Sequence, residues 1–158
     1  PKKLESHFRP LARFWAPEQP SAQWRRVDVS FADQDLLGCG VGTPQRAFVW
    51  IKNRTHNVDA YLAYRGAIAK QHLSQEERGR AAAAPSYPPR VIQGATASIA
   101  GLAPRGRYRV EWWDPYGAGG RLSTSVASVR QGVLTVEVPE LTWDVAAKLV
   151  QLHWWDLE

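Results

Sequence analysis

The chain has 158 residues, 44% hydrophobic and 22% charged, with a formal net charge of +5. These are globular values: one domain of this length buries about 70% of its unfolded surface, so wholesale disorder is excluded. The single cysteine, Cys39, rules out an internal disulfide, and no apolar run approaches the roughly 18–20 residues of a membrane span.

Residues 1–20 read as a helical lead-in. Leu4, Phe8, Leu11, Ala12 and Trp15 fall on one helical face, Pro10 interrupts it, and Pro17 and Pro20 end it. A piece this short cannot bury its own face, so it must pack on the domain that follows or on something upstream. From Trp24 the period changes to two. Val27, Val29 and Phe31 alternate with Asp28 and Ser30, and Leu37, Cys39 and Val41 alternate with glycines that permit close backbone approach. This phase makes Cys39 a small buried side chain.

Arg46 to Lys52 is apolar on both faces, as a covered central strand should be. The stretch 57–93 breaks the rhythm. It is helical in pattern over 59–72, then polar, alanine-rich and proline-rich over 74–90, and reads as an insertion that is part helical and part mobile. Strands resume at Gly106–Trp113, at Leu134–Val138 and at Asp144–Leu152, with DPYGAGG and RQG as turns. Seven or eight short strands with this punctuation predict an all-β, immunoglobulin-like antiparallel β-sandwich over 21–156, with a short N-terminal helix. Its single core is expected to hold Trp50, Tyr108, Val110, Trp112, Leu134, Val136 and Val138. Leu157 and Glu158 read as a joint left by cloning.

Little points to catalysis. No GxSxG or phosphate loop occurs, and His7, His56, His72 and His153 lack metal-ligand spacing. Glu111 and Asp114 are explained by an ion pair and a turn. No catalytic residue, metal or cofactor is therefore expected. Eight tryptophans are the outlying feature, and aromatic faces stack on the axial C–H face of a sugar while polar groups at the rim take its hydroxyls. Trp113 points away from Trp112, beside Asp114 and Tyr116 at a strand end, and Trp154 and Trp155 offer a second platform. These five residues are the candidate carbohydrate-binding set. Between 46 and 109, eleven basic residues stand against three acidic ones. Arg65, Lys70, Arg78, Arg80 and Arg90 interleave there with Tyr87, a weaker case for an anionic polymer or nucleic acid.

Three segments carry a resemblance: RAFVWIKNRTHN (46–57), IAGLAPRGRYRVEWWDPYGAGG (99–120) and VLTVEVPELTWDVAAKLV (133–150). In this order they are similar to the small β-sandwich at the C-terminus of many bacterial TIM-barrel glycoside hydrolases, through Trp50, Asn53, Arg54 and His56, then Tyr108, Trp112, Trp113 and Asp114, then Pro139, Asp144 and Lys148. Arg105 is an extra residue in that pattern. FRPLARFW resembles the last barrel helix of such enzymes. The resemblance implies a secreted, non-catalytic accessory module that binds plant cell-wall polysaccharide beside an upstream catalytic domain. The alternative it leaves is a sandwich that only buttresses that domain and binds no sugar. No membrane partner is expected.

Overall fold

The computed structural model describes residues 11–16, 18–19, 21–71, 90–115 and 120–153. A short helix, α1 (residues 11–15), precedes three strands: β1 (Arg25–Phe31), β2 (Leu36–Gly42) and β3 (Arg46–Asn53). The helix α2 (Val58–Gln71) follows, then β4 (Thr96–Ala100), β5 (Gly106–Trp113), β6 (Arg121–Arg130), β7 (Val133–Glu137) and β8 (Asp144–Leu152). Of the stretch 74–90, only Arg90 lies within the described residues.

Every strand pairs antiparallel with a neighbour on each side, and the ladder closes in the order β1-β2-β3-β8-β5-β6-β7-β4. The immunoglobulin-like sandwich is therefore wrong: the fold is a closed eight-stranded barrel. The deciding contact is β1 against β4, from Asp28↔Ala100 to Phe31↔Ala97, which joins what would otherwise be the two edges of one open sheet. Both architectures have one inner face, so alternation of apolar and polar residues predicts either equally well.

The inner face holds Val27, Val49, Ile51, Ile99, Tyr108, Val110, Trp112, Leu134, Val136 and Leu149 in one core. The glycines of β2 point into this interior because nothing larger fits. A Cβ on Gly38 would lie 2.7 Å from the Val29 side chain, and one on Gly42 would collide with the backbone of Arg46 and Ala47. That phase turns Leu37, Cys39 and Val41 outward, so Cys39 is exposed rather than buried. Trp50 likewise leaves the main core, for it stands half-buried on the outside of the wall. The β6–β7 hairpin turns on Gln131 and Gly132, both with positive φ (52° and 78°), as a two-residue type I′ turn requires.

Tyr108 ties the far end of the barrel shut. Its hydroxyl donates to the Pro44 carbonyl at 2.5 Å and accepts from the Ala103 N–H at 3.0 Å, while that N–H also reaches the Pro44 carbonyl. Burial pushes the phenol above its ordinary value of 10.0, and the Ala103 hydrogen bond offsets only part of this. With the folded-state value raised, this contribution is complete below pH 10 and declines as pH rises from there through the folded-state value. Tyr108→Phe should cost about 1–2 kcal/mol at neutral pH, because Ala103 keeps its second acceptor. Urea melts across pH 9–11 should show a shallower alkaline fall in the variant than in the wild type.

Candidate functional site

Antiparallel alternation brings the β1–β2, β3–α2, β5–β6 and β7–β8 connections to one end of the barrel. The organiser of this end is Asn53, the last residue of β3, which is fully buried. Its Nδ2 donates to the carbonyls of Arg90 (2.7 Å) and Thr142 (2.9 Å), and its Oδ1 accepts from the Thr55 N–H and hydroxyl. Its backbone N–H donates to the Trp143 carbonyl at 2.8 Å. One amide side chain with all four valences used thus fixes three segments that are far apart in sequence.

Upon that frame the His56 and Trp143 rings stack, 4.8 Å between centroids and 5° from parallel. Trp143 remains 44% exposed. Around the same end run charged and polar groups. The Arg90 guanidinium reaches Asp35 at 2.8 Å and Asp33 at 3.3 Å, and the Trp50 indole donates to Asp144 at 3.1 Å. The Asn57 side chain accepts from the Ala60 N–H at 2.8 Å, capping α2, whose Val58, Tyr61 and Leu62 are exposed. The arrangement presents an oriented, partly exposed indole with polar side chains at the same end of the barrel. Sequence reasoning missed Trp143, which was only an unmatched residue inside VPELTWDVAAK. His56 stood in a quoted motif, but no local signal joins the two.

The predicted site residues are distributed differently. Trp113 lies at this end of β5, half-buried on the outer wall, where register sets Trp50, Ala146 and Trp113 in one row and Phe48, Lys148 and Glu111 in the next. Phe14 from α1 sits over those rows, edge-on to Phe48 and to Trp113, each at 6.0 Å. Trp113 is thus packed against Phe14 and against the Lys148 ammonium, 5.0 Å from its ring centroid. Asp114 closes the β5–β6 connection through its N–H to the Gly120 carbonyl at 3.1 Å. Tyr116, Trp154 and Trp155 lie outside the described residues.

Beside α1 a pocket of about 150 Å³ opens between Phe14, Trp15, Cys39, Val41, Phe48 and Trp50. Its lining supplies no carboxylate, amide or guanidinium for sugar hydroxyls. Of the basic residues considered for anionic polymers, Arg90 is ion-paired and Arg65 lies over the Tyr61 ring at 5.9 Å. Arg78, Arg80 and Tyr87 lie outside the described residues, as does the Lys70 side chain. Among the described residues no three His, Cys, Asp or Glu side chains gather as a metal site, and no helix is long and apolar enough to cross a membrane. Comparison with known family models finds no match to this chain, and comparison with curated proteins finds none either.

Proposed function

We propose that the chain is a non-catalytic carbohydrate-binding module, secreted as part of a glycoside hydrolase, that holds plant cell-wall polysaccharide by aromatic stacking. The observation that supports this is the exposed Trp143 ring, oriented by parallel stacking on His56 at the barrel end that also carries the Arg90–Asp33–Asp35 cluster. Tethering of this kind raises the substrate concentration seen by a linked catalytic domain without adding chemistry. The stacking surface lies at Trp143 rather than at Trp113, whose ring is already occupied by Phe14 and Lys148.

A pull-down on insoluble cellulose, xylan and mannan tests the reading. The protein should be retained on at least one, with little loss as salt is raised, because stacking is not an ion-exchange interaction. Trp143→Ala should abolish retention while thermal stability falls only slightly. Retention that fades steeply with salt would favour the anionic-polymer reading instead. No retention on any polysaccharide would leave the buttressing role, which draws its own support from the exposed apolar side chains Leu37 and Val41 on the outer face of β2.

A further inference from the structure

The barrel closes at β6 through only a short contact. β6 pairs with β5 over its whole length, but it meets β7 only at Val129↔Leu134 and Arg130↔Val133. Beyond the hairpin β7 turns away and pairs with β4 from Val133 to Glu137. On that side Arg121–Ser128 has no strand partner among the described residues, and all of it except Ala127 is exposed. Natural edge strands are commonly blunted by lysine, proline or an inward charge, because unpaired N–H and C=O groups template further pairing. This one is not. From Leu122 to Val129 it reads LSTSVASV, uncharged, free of proline and β-branched at Thr124, Val126 and Val129.

We propose that this edge pairs with the same edge of a second copy, antiparallel about a two-fold axis at Ser125, making a continuous ladder across two barrels. Three features select a second copy as the occupant. The axis leaves Ser125 opposite itself and sets Thr124 opposite Val126 on the outer face, with Ser123 opposite Ala127 on the other. Every such pair is small or β-branched and none is charged, so the strand is complementary to itself. The charged ends, Arg121 and Arg130, never face their own equivalents, which matters in a chain carrying a net +5. Leu122 and Val126, 54% and 47% exposed, would be covered by the partner strand.

The register makes the test specific. On β5, Glu111 stands beside Thr124 and Arg109 beside Val126. Thr124→Lys with Val126→Glu therefore suits its own barrel and also places opposite charges across each new pair. Thr124→Lys with Val126→Lys places like charges there. Sedimentation velocity over the micromolar range should show a concentration-dependent dimer for the wild type and for the oppositely charged variant. The like-charged variant should dimerise at least tenfold more weakly. Far-UV circular dichroism verifies folding, and Val126→Lys alone, expected to weaken the dimer in the same direction, serves if the doubly substituted chain does not fold. A wild type that stays monomeric throughout, or a folded lysine variant that dimerises as well as the wild type, would overturn the proposal.

Discussion

Trp112→Ala is expected to destabilise the barrel by about 3–5 kcal/mol, near the whole stability of a modest domain. The indole is 3% exposed and projects inward from β5, between Ala147 on β8 and Ser123 on β6. Both neighbours are small, so truncating the tryptophan leaves a large gap beside them. The closed ladder also limits how far the wall can collapse into the cavity left behind. Trp112→Phe should recover part of the loss, since it keeps one aromatic ring and leaves a smaller cavity. Trp50→Ala gives the contrast. Half-buried outside the wall, with a hydrogen bond to Asp144, it should cost about 1–2 kcal/mol. Urea denaturation followed by circular dichroism separates these cases. Equal losses at Trp50 and Trp112 would contradict the assignment of the two rings to opposite sides of the wall.

That contrast also marks what could be read from sequence. Alternation placed Tyr108, Val110, Trp112, Leu134, Val136 and Val138 inside, and all six share the main core. It failed at Trp50 because β3 is covered on both faces: Ala47, Val49 and Ile51 fill the barrel, and Phe48 lies under α1. A strand apolar on both sides has no phase to read. β2 fails for the opposite reason, since glycines claimed the inner positions and left Leu37, Cys39 and Val41 to solvent. The closure of the barrel rests on β4, a five-residue strand of small side chains with little hydrophobic signal of its own. The Trp143–His56 stack rests on Asn53 joining segments far apart in the chain, and long-range geometry of that kind leaves no spacing rule behind. The lead-in was legible as needing a partner, and Phe14, 3% exposed, finds it on the outer wall.

How firmly the lead-in is held depends on a buried charge. Lys148 points outward from β8, yet its side chain is only 4% exposed, because α1 and the residues after it roof it over. Its ammonium lies 4.9 Å from the Phe14 ring centroid and 5.0 Å from that of Trp113, and donates to Glu18 Oε1 at 3.0 Å. The same oxygen accepts from Arg46 at 2.7 Å, and the Glu18 side chain is 3% exposed. Two aromatic faces supply part of what the ammonium loses in leaving water, and the carboxylate supplies the rest. Glu18→Ala removes the counter-charge and leaves the ammonium beneath the rings. It should cost about 3–5 kcal/mol, the usual range for an uncompensated buried charge. Lys148→Met alone should cost far less, because Glu18 keeps Arg46 and the methionine fills the same space between the rings. Adding Lys148→Met to Glu18→Ala should then restore much of the lost stability, a coupling that packing alone would not produce. Additive losses in that double-mutant cycle would mean that the rings, and not the ion pair, hold the lead-in to the wall.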